Sequence, residues 1–513
     1  MKKLLIANRG EIAVRIARTA AEMGIATVAV FAEDDASSLH TRKADEAMGL
    51  KGSGPAAYLD GAQILQIARQ VGADAVHPGY GFLSENPAFA RACAEVGVTF
   101  VGPSPETLDL FGDKGQARAL AARCNVPILP GTDGATTLEQ AQAFLAGLGA
   151  GGAVMVKAVS GGGGRGMRPA RSADELEQAF ERCASEALAA FGDGSLYVEQ
   201  FLPRARHIEV QILGDGISVS HLWDRECSLQ RQRQKVVEIA PASTLPMAIR
   251  ERLFEAAVAL GQAAHYRSLG TVEFLVEPGG RLVFIEANPR LQVEHTVTEE
   301  VLGLDLVRLQ IEVARGSSLA DLNLTQEEVP SPRGVQARVN LETMGADGSA
   351  RPGGGLLSAF EPPSGPGVRV DGFGYAGYRT SARYDSLLAK LIVHAGSGGL
   401  AVAVAKAHRA LSEFKIAGAP TNIGFLQSLL AHPAVAAGEV HTRFIEETMG
   451  VLAATADAPK LYFESTAAGG VAKRAGVQID AVDPLAVLAL GKAERVTADP
   501  EEDEAEGPEG TRP

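Results

Sequence analysis

The stretch Glu273-Phe274-Leu275-Val276-Glu277-Pro278-Gly279-Gly280-Arg281-Leu282-Val283-Phe284-Ile285-Glu286-Ala287-Asn288 decides how this chain is read. Two apolar-rich runs flank a Pro-Gly-Gly cluster, which is the pattern of a β-hairpin. A two-residue Gly279-Gly280 turn would set Glu273 directly opposite Glu286. In that register Val272, Phe274, Val276, Val283, Ile285 and Ala287 share one apolar face, the core side. Glu273, Leu275, Glu286, Asn288 and Arg290 take the other face. Like charges directly opposed on a sheet cost about 0.2–1 kcal/mol. A divalent cation between them removes that penalty. Two carboxylates plus an amide oxygen suit Mg2+ or Mn2+, which also hold substrate phosphates. A solvated polar face is the competing reading, and Leu275 and Phe284 on that side speak for partial burial.

Downstream lies Asn288-Pro289-Arg290-Leu291-Gln292-Val293-Glu294-His295. In extended conformation Arg290, Gln292 and Glu294 point the same way. A cation beside a carboxylate can hold an anion and remove its proton. A structural ion pair accounts for this segment equally well. Upstream, His207-Ile208-Glu209-Val210-Gln211-Ile212 alternates strictly, as a half-buried strand does. A lone strand histidine is usually structural. This one gains interest from its place between the hairpin and a glycine run. There the strand Val154–Val159 leads into Ser160-Gly161-Gly162-Gly163-Gly164-Arg165-Gly166. Four consecutive glycines expose backbone N–H groups that can wrap phosphate oxygens. No Lys-Ser/Thr pair closes the run, so it is not a Walker A loop. A plain flexible turn is the alternative, but Lys157 on the strand could reach the same phosphates as a point charge.

At the N-terminus, strands at Leu4–Ala7, Thr27–Phe31, Ala73–His77 and Val98–Val101 alternate with helices at Gly10–Met23, Gly61–Val71 and Pro87–Val96. That rhythm predicts a doubly wound parallel sheet with helices on both faces. The turn after the first strand is Asn8-Arg9-Gly10-Glu11 rather than G-x-G-x-x-G, which disfavours NAD. Sites in such sheets lie at the carboxyl ends of strands, where Asn8–Glu11 and His77–Asn86 fall. The 513 residues exceed the roughly 250–300 that one core supports, so several domains are expected. Apolar residues at 46% and charged residues at 21% are ordinary for a soluble globular chain. A net charge of -14, from 62 acidic and 48 basic residues, argues against a nucleic-acid binder. Part of that charge belongs to an acidic tail, Asp499–Pro513. Cys93, Cys124, Cys183 and Cys227 lack metal-ligand spacing and are too sparse for a disulfide scaffold. They read as free thiols of a reducing compartment. Lys2-Lys3-Leu4-Leu5-Ile6 is too short for a signal peptide, and no run is long enough to span a membrane, so a cytoplasmic location is expected.

Taken in order, these segments resemble the biotin carboxylase component of biotin-dependent carboxylases, members of the ATP-grasp superfamily. The resemblance runs from Lys3 to about Glu446. Its most specific blocks are His77-Pro78-Gly79-Tyr80-Gly81-Phe82-Leu83-Ser84-Glu85-Asn86 and Arg290-Leu291-Gln292-Val293-Glu294-His295. It implies an α/β and α+β multidomain fold. The N-terminal α/β domain would cover 1–113. The ATP-grasp domain would cover 114–330, with a mobile lid over about 130–204. A C-terminal mixed α+β domain would cover 331–446. It further implies that Lys114, Lys157 and Lys235 hold ATP phosphates under the Gly161, Gly162, Gly163 and Gly164 lid. Glu199, Gln200, Leu202, His207, Gln230 and Leu275 would surround the adenosine. Glu273, Glu286 and Asn288 would hold Mg2+ or Mn2+. Arg290, Gln292 and Val293 would bind bicarbonate and Glu294 would deprotonate it. Arg338 would stabilise the biotin enolate, with Tyr80 and Asp385 at the biotin pocket. The implied reaction carboxylates biotin through carboxyphosphate, the first half-reaction of an acyl-CoA carboxylase or, alternatively, of a pyruvate or urea carboxylase. The implied partners are a biotin carboxyl carrier protein or domain, a carboxyltransferase and a second copy of the chain.

Some positions depart from the family pattern. Gln232 and Arg233 follow Gln230-Arg231 where the family usually has Arg and then His or Asn. Pro289 replaces a common Thr, Ala287 a common Met, and Leu341-Glu342-Thr343 the usual Ala-Glu-Asp. None carries an assigned proton transfer, so activity is expected to survive. Residues 447–513 lie outside the resemblance and read as a linker, or the start of another domain, with a disordered acidic tail. No Ala-Met-Lys-Met biotin attachment motif occurs. The expected carrier is therefore a separate subunit or a later part of a longer carboxylase. Another ATP-grasp ligase, or a nucleotide-binding regulator without turnover, would be the competing functions.

Overall fold

The short apolar runs at the N-terminus are rich in Val and Ile and too brief for helices, and they form strands. β1 (Lys3–Ile6), β2 (Ala26–Phe31), β3 (Glu46–Gly49), β4 (Ala75–His77) and β5 (Thr99–Phe100) build a parallel sheet in the order β3-β2-β1-β4-β5. β3 escaped the sequence reading because it is a largely exposed edge strand with little apolar patterning. The computed structural model describes residues 1–132, 134–159, 167–324, 333–345, 348–453 and 459–463. Gly161–Gly164 and nearly all of the acidic C-terminal region lie outside them. Met1–Tyr462 forms one compact unit. No helix among the described residues is long and apolar enough to cross a membrane.

Strand order reverses between β1 and β4, which opens a crevice at their carboxyl ends. Asn8 ties the two loops there together. Its Nδ2 donates to the carbonyls of Pro78 at 2.6 Å and Tyr80 at 2.8 Å. Gly79 lies between those carbonyls at φ +63, and a Cβ on it would come within 2.9 Å of the same Nδ2. Only glycine meets both conditions.

A three-stranded antiparallel sheet follows, from β6 (Val154–Ala158), β7 (Met167–Ala170) and β8 (Leu196–Gln200) in the order β7-β6-β8. Helices Leu138–Gly147 and Ala173–Phe191 pack on it through Leu138, Leu145, Leu176 and Ala179. The rest of the chain is organised on one larger sheet. Its strands are β9 (Arg206–Asp215), β10 (Val219–Arg231), β11 (Gln234–Ala240), β12 (Arg267–Val276), β13 (Leu282–Asn288) and β14 (Arg333–Asn340). Short pairs flank it, β15 (Glu342–Met344) with β16 (Ala350–Pro352) and β17 (Ala359–Glu361) with β20 (Lys415–Ala417). β18 (Val368–Gly372) and β19 (Leu387–Ala395) complete the order β13-β12-β9-β10-β11-β14-β19-β18. The antiparallel pairing of β11 with β14 carries this sheet continuously across the joint expected near residue 330.

The hairpin β12–β13 corrects the register argument and explains why its main conclusion survives. Gly280 N donates to the Glu277 carbonyl at 2.8 Å, and Glu277 N to the Arg281 carbonyl at 2.9 Å. Pro278 and Gly279 are therefore the central turn residues, and Gly280 follows at φ +79. This is a three-residue loop rather than the expected Gly279-Gly280 turn. It shifts the pairing by one residue, giving Val276 opposite Leu282 and Phe274 opposite Phe284. A β-bulge at Ile285 shifts it back, so Glu273 faces Glu286 after all. The core face is Val272, Phe274, Val276, Leu282, Phe284 and Ala287. Val283 joins Leu275 on the opposite face, and Ile285 turns to the cavity described below.

The close approach at Gly79 can be measured. Gly79→Ala should destabilise by more than the roughly 1–2 kcal/mol of left-handed backbone strain. Gly24→Ala, at φ +67 with open space around its Cβ, should cost only that strain. Denaturation midpoints of the two variants should differ by the Asn8 contact, and equal midpoints would refute the close-approach argument.

Candidate active site

Alternation along the central strands turns His207, Gln230, Lys235, Glu273, Leu275, Glu286, Asn288 and Arg338 toward one cavity of about 1270 Å³. The loop after β13 adds Arg290, Gln292, Val293 and Glu294. The parallel sheet contributes Tyr80, the turn before β19 contributes Asp385, and Lys114, Lys157, Glu199, Gln200 and Leu202 come from the opposite wall. Every described residue assigned from the sequence therefore lines a single space. Gly161–Gly164 lie outside the described residues.

At its centre Glu294 is 1% exposed, so its charge must be met by protein groups. Lys235 Nζ donates to Oε1 at 2.6 Å and Arg338 to Oε2 at 3.0 Å. Both cations are shared. Lys235 also donates to Glu209 Oε2 at 2.6 Å and Glu273 Oε1 at 3.0 Å. Arg338 Nε donates to Glu238 Oε1 at 2.6 Å. Fully buried Arg225 pairs with Glu209 and donates to Gln211 at 2.9 Å and Thr298 at 2.8 Å. Burial alone would raise the Glu294 carboxyl, but Lys235, Arg338 and Arg225 outweigh it and hold the group well below the usual carboxylate range. Glu294 is thus ionised at neutral pH, and its pairing is lost only in strong acid. Ligand atoms of Glu209, Cys227 and Glu294 lie within 4.8 Å of one another. Those carboxylates are already met by cations, and burial pushes the Cys227 thiol well up, so the cluster is a charge network.

Glu273 and Glu286 oppose each other but differ in their surroundings. Glu273 receives Lys235, Asn288 Nδ2 at 2.9 Å, and the His207 ring, whose Nε2 lies 2.7 Å from Oε2. Burial opposes its charge, yet Lys235 and His207 hold it far below the usual range. The Glu286 side chain has no hydrogen bond or ion pair among the described residues. Burial and the facing Glu273 raise its carboxyl, against the pull of Lys114 and Lys157. An opposed pair with one unpartnered arm, beside an amide oxygen, fits a divalent cation held by Glu273, Glu286 and Asn288. Arg290 is braced by Glu85 at 3.2 Å, Gln292 at 2.8 Å and Asn288 Oδ1 at 3.1 Å.

The wall of Leu129, Leu202, Ala205, Leu275 and Val283 is an apolar cluster beside the cavity, of a character that suits a ring of low polarity. Next to it Lys157 pairs with Glu199, which Arg118 also meets at 2.5 Å. Burial opposes the Lys157 charge, and Glu199 raises it. Lys114 is lowered by burial and partly restored by Glu286. His207 and Gln230, expected around an adenosine, contact each other and buttress Glu273 in this structure. Arg233 donates to the Met167 carbonyl of β7 at 2.5 Å. Tyr80 donates to Glu11, and Asp385 Oδ1 caps the Leu387 amide at 2.8 Å.

Sequence reasoning missed Glu238, Arg225, Arg118, Glu85 and Glu11 as site residues. Glu85 and Glu11 stand inside segments singled out for their position, which was the available signal. Glu238 had none, because only pairing between distant strands brings it to Arg338, whereas Arg225 meets Glu209 across the local β9–β10 hairpin, whose register was not read from the sequence.

Comparison with known proteins agrees with this geometry. Residues 1–108 match the family described as biotin carboxylase, N-terminal domain. Residues 113–322 match carbamoyl-phosphate synthase L chain, ATP binding domain, and 336–447 match biotin carboxylase C-terminal domain. Mitochondrial pyruvate carboxylase of Mus musculus is 48% identical over 453 residues, covering 87% of this chain and 38% of that protein. The biotin carboxylase domain of a single-chain bacterial carboxylase superposes with a TM-score of 0.80 at 51% identity, covering 88% of this chain and 98% of that one. The biotin carboxylase domain dimer of Hydrogenobacter thermophilus 2-oxoglutarate carboxylase, in complex with MgADP and bicarbonate, gives 0.82 at 40% identity, covering 88% and 98%. The chain belongs to the biotin carboxylase family. It spans 38% of the length of the curated pyruvate carboxylases it matches.

The like-charge pair yields a test. Glu286→Gln should leave the cation-free protein unchanged or up to about 1 kcal/mol more stable. It should also remove the stabilisation that Mg2+ gives the wild type, read as a shift in thermal unfolding. A full Mg2+ shift in the variant would remove Glu286 from the cation site.

Proposed function

We propose that this chain carboxylates biotin, using ATP and bicarbonate, with Glu294 as the base and Arg338 as the partner of the biotin enolate. The observation that carries the reading is the position of Glu294, buried between Lys235 and Arg338 and next to the anion-binding fork of Arg290. Arg290, Gln292 and the Val293 backbone would orient bicarbonate. Lys114, Lys157 and Lys235 would meet the ATP phosphates, with the adenine on the Leu202–Leu275 wall. A divalent cation held by Glu273, Glu286 and Asn288 would screen phosphate charge during transfer.

Without ligands Glu294 is too acidic for a good base, because Lys235 and Arg338 both neutralise it. A base works best with a pKa near the working pH. Phosphates arriving at Lys235 would draw that cation away, and the carboxyl would rise toward the usable range. The base is thereby unmasked only when ATP is present. Bicarbonate, once deprotonated, attacks the γ-phosphate to give carboxyphosphate and ADP. Carboxyphosphate releases CO₂, and the phosphate left behind takes the biotin proton. The enolate, paired with Arg338, then attacks CO₂. Tyr80 and Asp385 would line the biotin side of the cavity.

The segments 1–113, 114–330 and 331–446 would act as the working domains, with about 130–204 as lid and 447–513 as linker. The biotin carrier and the carboxyltransferase would be separate subunits or later domains, and the chain would pair with a second copy, as the Hydrogenobacter structure does. Among the acceptors expected from the sequence, pyruvate is the one named by the curated relatives, ahead of an acyl-CoA. The location would be the cytoplasm or, following the mouse relative's name, the mitochondrion.

The purified chain should release ADP only with bicarbonate, and faster with free biotin. Glu294→Gln should still bind ATP while turnover falls by about 10²–10⁴. Persistent turnover in that variant would remove Glu294 as the base.

A further inference from the structure

Lys390 is 0% exposed. The sheet register places it directly opposite Arg338 on one side and Asp371 on the other, so the three share one row and one face. Two cations side by side repel unless each has its own anion. Arg338 is taken by Glu238 and Glu294. Asp371 is already engaged by Arg369, at 2.6 and 3.1 Å. Lys390 turns elsewhere. Its Nζ lies 3.1 Å from Glu11 Oε2, an ion pair without hydrogen-bond geometry, and donates to the Val293 carbonyl at 3.0 Å. The other oxygen of Glu11 accepts from the Tyr80 hydroxyl.

These contacts form one chain across three parts of the fold. Tyr80 and Glu11 stand at the carboxyl ends of the parallel strands, Lys390 on β19, and Val293 on the loop that ends in Glu294. We propose that Lys390 is a positioning residue that ties the Tyr80 wall of the biotin pocket to the loop carrying the base. The inference rests on reading the cavity as a biotin carboxylase site. Lys390 does not line the cavity itself. It sets the Val293 carbonyl, and with it the direction of the neighbouring Glu294, relative to the ring wall. A misplacement of about 1 Å at such a site costs up to about 100-fold in rate.

The test uses the whole chain. Lys390→Met keeps the side-chain length and removes the charge. Its affinity for a non-hydrolysable ATP analogue should stay within about twofold of wild type, because no contact reaches the nucleotide wall. KM for bicarbonate should rise, and the ratio of biotin-stimulated to unstimulated ADP release should fall by about tenfold to a hundredfold. A merely structural role would lower the active fraction and scale both rates equally, leaving KM and the ratio unchanged. That outcome would overturn the inference. If Lys390→Met does not fold, Glu11→Gln, which keeps shape and removes the pairing charge, is read by the same two quantities. An unchanged ratio there would overturn it equally. Absence of bicarbonate-dependent ADP release in the wild type would instead sink the functional reading itself.

Discussion

An ionised carboxylate buried to 1% exposure is the constraint around which this molecule is arranged. Glu294 can keep its charge only if cations are delivered to it without solvent. The cations come from adjacent strands, Lys235 from β11 and Arg338 from β14, whose pairing sets their separation. Each must itself be balanced, which brings in Glu209, Glu238 and Glu273. Glu209 in turn needs Arg225. A single buried charge thus recruits five strands of the central sheet, β9, β10, β11, β12 and β14, and the sheet has to be continuous from the β12–β13 hairpin to β14.

The same arrangement gives the site its logic. If Glu294 is the base, its full neutralisation at rest would keep it from activating a nucleophile before ATP is bound. In the proposed reaction, phosphate groups would compete for Lys235 and would convert the resting ion pair at Glu294 into a working base. The like-charge pair Glu273 and Glu286 follows a parallel logic, since the repulsion left after Lys235, His207, Lys114 and Lys157 have acted would be relieved by a bound divalent cation. Ground-state electrostatic tension is thereby placed where ligands relieve it.

Much of this was legible from residue order. The parallel N-terminal sheet, the segments at its carboxyl edge and the opposed carboxylates all follow from alternation and turn chemistry. Even so, the hairpin shows how local reasoning reaches a correct end by an incorrect route. The turn centres on Pro278-Gly279, and the bulge at Ile285 cancels the resulting shift. Alternation cannot reveal a bulge, because one extra residue leaves each half of the pattern intact. The edge strand β3 was invisible for the opposite reason, having no buried face to impose a pattern.

The amino-acid order by itself picked out side chains that line the cavity, since motif spacing along a strand or loop is a local property. Glu294, Arg290, Glu273 and Glu286 could be chosen that way. What only the tertiary structure decided is which distant charges those residues meet. Glu238 beside Arg338 and Lys390 beside Glu11 depend on strand registers and packing between residues a hundred or more positions apart. Electrostatic pairing acts through space, and no periodicity in the sequence encodes it.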